Sequence, residues 1–136
     1  MEVLDMYKLA ENENIDILNY KWSNSKAKIF EIDNNYYIGL DKHKIENSIE
    51  EKEVLAEELG HYYCDALYYI NSDKIQKNKC EHRAMKWAYS VLVPVSKLKE
   101  KIAQGFNLYD LSDYFNVDTN YMNNCINFYI DKYGKI

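Results

Sequence analysis

Ser48-Ile-Glu-Glu-Lys-Glu-Val-Leu-Ala-Glu-Glu-Leu-Gly-His-Tyr-Tyr-Cys64 is the stretch around which the chain is organised. Ser48 followed three residues later by Glu51 is a capping-box pattern, in which each side chain can bond the other's backbone N–H at a helix start. At about 100° per residue, Glu57 and His61 lie one above the other at i, i+4, and Glu58 lies on the adjoining flank. Leu55, Leu59, Tyr62, Tyr63 and Ala66 fall on the opposite side. The stretch therefore predicts a helix with one face for a core and another carrying two carboxylates and an imidazole.

That polar face differs at one residue from a zinc-peptidase helix. In the pattern His-Glu-x-x-His, histidines at i, i+4 hold the metal and the intervening Glu is the general base. Here the first position is Glu57. A carboxylate is itself a proper zinc ligand, so the chemistry survives the exchange. From these residues alone a second reading stays open, an acidic solvated face with one histidine.

Length and composition set bounds. At 136 residues the chain predicts one domain, 1–136, and its 47% hydrophobic content is enough for a core. Fourteen tyrosines against four phenylalanines predict a core margin rich in rings with polar tips. The net charge of −5 disfavours non-specific binding to nucleic acid or to an anionic membrane. Three cysteines, an N-terminus without signal-peptide character and no apolar run approaching ~18 residues predict a cytoplasmic chain with reduced thiols.

In order, residues 2–11 read as an amphipathic helix, with Asn12 and Asn14 at its end suited to a left-handed turn. Strands are predicted at Ile15–Tyr20, Ala27–Ile32 and Tyr36–Leu40, with a hairpin turn at Asp33-Asn-Asn35. A polar loop over 41–47 leads to the central helix, predicted to run from Ser48 to about Tyr69 and to end at Asn71-Ser-Asp73. Residues 74–79, rich in lysine, read as a solvated loop. A second long helix follows from near Asn78 and stops before Pro94, which cannot continue it. Three further helices are predicted, at Ser96–Gln104, at Leu108–Phe115 and beyond the cap Asp118. The fold class is α+β: a small three-stranded, antiparallel-type sheet on a mainly helical body. The chain divides into an N-terminal helix and sheet (1–45), two central helices (48–93) and C-terminal helices (95–134).

With both central helices in view, the chain resembles the ImmA/IrrE family of small bacterial and phage zinc-dependent metallopeptidases. Leu55-Ala-Glu-Glu-Leu-Gly-His-Tyr-Tyr63 is similar to that family's Leu-Ala-His-Glu-Leu-Gly-His segment. Cys80-Glu-His-Arg-Ala-Met-Lys-Trp-Ala-Tyr-Ser-Val-Leu-Val-Pro94 is similar to its second segment: a Glu, an Ala three residues on, an aromatic-Ala pair and a Leu-x-Pro end. The resemblance implies a zincin-like core, with Glu57, His61 and Glu81 as metal ligands, Glu81 at the start of the second helix, and Glu58 as general base. It implies zinc as cofactor, with manganese able to compete at so oxygen-rich a site. The implied reaction is endopeptidase attack by a metal-activated water on a helix-turn-helix repressor of a mobile element or stress regulon.

Each residue also has a plainer reading. His61 could be a hydrogen-bonded surface histidine, Glu81 a first-turn carboxylate favoured by the helix dipole, and Glu57 a group that orients water without touching metal. Cys64, at i+3 from His61, is a competing soft ligand or a small core residue. Cys80, His82 and His43 read as structural or solvated. Two other functions compete. Glu57 in place of His could leave a scaffold that binds the repressor without cutting it. Residues 108–122 have the outline of a DNA-reading helix pair, but no Lys or Arg follows Thr119 until Lys132, and Asp110, Asp113, Asp118 and Asp131 surround it. Phosphate contacts supply much of DNA affinity, so this pair reads as structural.

Overall fold

The structure, a computed structural model, describes residues 1–64 and 73–135. Among them are six α-helices and three strands, an α+β protein. The chain forms two compact units, Glu2–Ala88 and Met1 with Tyr89–Ile136.

The first unit opens with α1 (Val3–Asn12), whose N-cap Glu2 and Asp5 form a reciprocal capping box. Asn14 takes the left-handed conformation (φ 58°) and turns the chain into β1 (Asp16–Asn19). β2 (Ala27–Ile32) and β3 (Asn35–Leu40) form the hairpin, and positive φ at both Asp33 and Asn34 gives the tight turn whose twist matches its strands. The strand order is β1-β3-β2. The sheet is mixed, not wholly antiparallel: β2 runs antiparallel to β3, but β1 pairs parallel with it, Ile17 opposite Ile38. The 20–26 connection carries the chain past the central position, which the return strand β3 then fills. β2 is thereby left as an edge. Residues 28, 30 and 32 bond to β3, because Lys26 continues the same ladder by accepting from the Asp41 N–H at 2.8 Å. Backbone groups of 27, 29 and 31 therefore point away from the sheet.

α2 (Ser48–Tyr63) packs on α1 and β2. Its cap is Asn47, not Ser48: the Asn47 Oδ1 accepts from the Glu50 N–H at 2.9 Å, and the Glu50 side chain reaches back to the Glu46 N–H at 3.0 Å. Asn and Ser are near-equal caps, so a one-residue shift costs little. Leu55, Ala56 and Leu59 are fully buried, as are Met6 of α1 and Ile38 and Leu40 of β3. Tyr62 and Tyr63 do not join them in the core. Tyr62 donates to Glu13 at 3.0 Å and Tyr63 is exposed. Cys64 caps α2; Ala66, the extension to Tyr69 and most of the expected terminator lie outside the described residues.

α3 (Lys74–Leu92) starts earlier than expected. The 74–79 segment is helical, because Asp73 caps it through the Gln76 N–H at 2.7 Å and its lysines and glutamine are good helix formers. Glu81 consequently sits in the body of α3, not at its start.

In the second unit, α4 (Val95–Ala103), α5 (Leu108–Phe115) and α6 (Thr119–Tyr133) pack in succession. Asn107 and Asp110 form a capping box, Asn116 ends α5 in the left-handed region (φ 55°), and Asp118 caps α6 through the Asn120 N–H. Leu98, Leu111, Phe115, Met122, Cys125 and Tyr129 are buried. At Pro94 the Tyr129 hydroxyl donates to the Val93 carbonyl at 2.7 Å, supplying a buried side-chain partner where the helix is interrupted. Tyr129→Phe should therefore lower stability by about 1–3 kcal/mol in urea unfolding, without loss of helical circular dichroism.

Candidate metal centre

Gly60 fixes the geometry. A Cβ at this position would lie 2.4 Å from the Ala84 carbonyl oxygen and 3.1 Å from its Cα, so only a bare backbone lets α3 pass this close to α2. The same crossing brings Cys64 Sγ within 3.6 Å of the Arg83 carbonyl and stacks Tyr63 on Trp87, centroids 4.9 Å apart. It also sets Glu81 opposite the polar face of α2.

There the sequence-predicted ligands converge. Glu57, His61 and Glu81 offer one donor atom each within 4.8 Å of one another. His61 is buried, and its Nε2 lies 3.3 Å from Glu81 Oε1. Cys64 is not among the donors. Glu57 and Glu58 are only partly exposed, so this face of α2 is not fully solvated. Burial raises the Glu57 pKa well above the usual carboxylate range; a hydrogen bond to Glu81 and the charges of Glu58 and Glu81 add to this, and His61 opposes it. Two partly buried carboxyl groups pressed together beside a buried imidazole form a set whose charge a divalent cation would satisfy, and mixed oxygen and nitrogen donors suit zinc or manganese. The residues present therefore fit a metal ion.

Glu58 points differently. Its Oε2 accepts the backbone N–H of Ile29, one of the outward-pointing groups of β2, at 2.8 Å. Burial pushes its pKa up to about 7; the His61 charge and the Ile29 hydrogen bond oppose this, Glu81 adds to it, and Lys28 opposes it further. A carboxyl group near 7 is matched to taking and returning protons at neutral pH.

All four side chains open onto a cleft of about 630 Å³. α2 and α3 supply one set of lining residues. The other set, Trp22 to Phe30, comes from β2 and the loop before it. Sequence reading missed this second set entirely. The Glu58–Ile29 contact joins residues 29 positions apart, and no spacing rule along a chain reveals such a pairing.

Two outcomes follow. Gly60→Ala should cost about 1–3 kcal/mol of stability by overpacking and, by moving Glu81 off His61, weaken metal binding about 10–100-fold in competition with a chromophoric chelator. In metal-free protein, Glu57 and Glu58 hold protons in the folded state at pH values where the unfolded chain has lost them. Their contribution to stability is thus fully present below about pH 4.5 and is lost as pH rises through about 7 for Glu58 and about 8 for Glu57. Urea midpoints should fall between pH 5 and 8, and a divalent metal should reverse that fall.

Metallopeptidase ImmA of Bacillus subtilis (strain 168) is 33% identical over 81 residues, covering 55% of this chain and 48% of the relative. The chain thus spans about half the length of that curated relative. No solved structure matches the chain. Residues 10–126, most of the chain and all of α2 and α3, match the peptidase M78 family, described as the IrrE N-terminal-like domain, and the chain belongs to this ImmA/IrrE family.

Proposed function

We propose that this chain is a metal-dependent endopeptidase in which Glu57, His61 and Glu81 hold the ion and Glu58 is the general base. The observation that carries this reading is the convergence of the three donors within 4.8 Å, with Glu58 opening onto the same cleft. The ion is zinc, with manganese able to take its place. The chemistry such an ion supplies when bound is Lewis-acid polarisation of a carbonyl and a pKa near 7 for water beside it.

The chain's own residues do the rest. The Ile29 N–H holds Glu58 Oε2, which fixes the carboxylate plane and leaves Oε1 for the proton. Glu58 takes that proton from the attacking water and returns it to the leaving amine. His61, buried between the two ligand glutamates, brings a neutral donor to a set otherwise anionic. The substrate is a helix-turn-helix repressor of a mobile element or stress regulon, met in the cytoplasm, as the resemblance of the two helix segments to the ImmA/IrrE family implies. Among the described residues no helix is long and apolar enough to cross a membrane.

A second reading has its own observation. Glu57 stands where the family segment has His, and its hydrogen bond to Glu81 lets the two carboxyl groups satisfy one another without metal. On that reading the chain binds the repressor and does not cut it.

Elemental analysis and a cleavage assay with the cognate repressor separate the two. The peptidase reading expects about one ion per chain, lost in Glu57→Ala and Glu81→Ala. It also expects Glu58→Gln to keep the ion while cleavage falls about 10²–10⁴-fold. Metal-free protein that binds repressor intact would establish the second reading instead.

A further inference from the structure

The cleft wall opposite the metal-site helices is built for recognition. Trp22 is held at four points. Its indole Nε1–H donates to the Gly39 carbonyl at 2.8 Å, and its own N–H donates to Asp41 Oδ2 at 3.1 Å. Its carbonyl accepts from Lys44 Nζ at 2.5 Å, and the ring lies over bare Gly39, where a Cβ would come within 2.7 Å of it. The buried Asp41 is paired in turn with Lys44 at 3.6 Å. With its one polar atom engaged, the indole is an apolar ring, flanked by Tyr20 with centroids 4.4 Å apart. Phe30 meets it edge-on, centroids 6.2 Å apart, and is backed by Tyr37 stacked at 5.6 Å across the hairpin. This is a fixed aromatic wall, which costs little side-chain entropy when something packs on it.

Charge on the cleft lining is segregated. The carboxylates there are Glu57, Glu58 and Glu81, all in the candidate metal centre; the remaining charged groups are lysines. Lys26 is neutralised by Glu50 at 2.8 Å. Lys28 is exposed, shares a strand face with Phe30, and carries its Nζ 5.7 Å from the Trp22 ring centroid. A chain of net charge −5 thus sets an exposed cation on an aromatic wall beside its metal centre.

We infer that the cleft selects a polypeptide segment that lays an apolar or aromatic side chain on Trp22 and Phe30 and an acidic side chain against Lys28. This rests on the peptidase reading for its purpose, but not for its binding chemistry. Consecutive Cα atoms are 3.8 Å apart, so the distance from Lys28 to the ring places the acidic residue within one or two positions of the apolar one. Lys28 is a specificity determinant.

The test uses the full chain with Trp87→Phe, so that Trp22 is the remaining indole, and reads fluorescence on titration with acetyl-Ala-Ala-Phe-Asp-Ala-Ala-amide and its Phe-Lys and Ala-Asp counterparts. The Phe-Asp peptide should bind roughly three- to tenfold more tightly than the Phe-Lys peptide, a margin that narrows in salt. The Ala-Asp peptide should bind more weakly than Phe-Asp. Lys28→Glu should reverse the Asp/Lys order, and Lys28→Met should abolish it; circular dichroism checks that both stay folded. An Asp/Lys order that survives Lys28→Glu, or no order in the unsubstituted lysine protein, would overturn the inference. Peptide cleavage is followed in parallel. Ordered binding without cleavage sinks the peptidase reading and leaves this inference standing, whereas cleavage without ordered binding does the reverse.

Discussion

The contact between Gly60 and the Ala84 carbonyl is the constraint on which the first unit depends. Two helices can approach so closely only where one of them has no side chain, and the residues of the candidate metal centre lie within about one turn of that point. His61 follows Gly60 directly, Glu57 is one turn before His61, and Glu81 is one turn before Ala84. Along the same crossing, the Tyr63–Trp87 stack and the Cys64–Arg83 contact hold the helices in register. The glycine in the sequence stretch is therefore a distance setting, read by the opposite helix.

What the crossing brings together is electrostatically costly. Three carboxyl groups and an imidazole share one partly dehydrated corner, and the upward shifts at Glu57 and Glu58 are the signature of that cost. Packing elsewhere maintains it: Leu55 and Leu59 anchor α2, and Cys80, Ala84 and Ala88 on α3 are fully buried. Local structure is strained by charge while the surrounding apolar surface is satisfied, a division common where a protein does chemistry.

Much of this could be read from the chain. The i, i+4 spacing of Glu57 and His61, the Asp-Asn hairpin, the stop at Pro94 and the limits of α5 are all local signals. Local structure bore them out. The choice of Glu81 could not come from local signals; it came from likeness to a family, and α3 shows why, since Glu81 lies mid-helix without any capping pattern to mark it. The parallel pairing of β1 was illegible because strand order depends on which gap β3 fills. The Trp22–Phe30 wall was hidden for the same reason: Trp22 lies in a loop, Lys28 and Phe30 alternate as an ordinary strand, and only the fold turns that strand's free edge toward α2. Residues 74–79 were misread because their lysines look solvated, which they are, while also favouring helix.

The hydrogen bond from Ile29 to Glu58 has a consequence unrelated to proton transfer. β2 is an exposed edge, and an edge with unpaired N–H groups is where one chain can graft its sheet onto another. At Ile29 that donor is consumed by a half-buried carboxylate from α2, and the neighbouring strand position carries the exposed charge of Lys28. A foreign strand laid along β2 would find its central rung already taken, so the same side chain that lines the cleft also blocks this edge to copies of the chain.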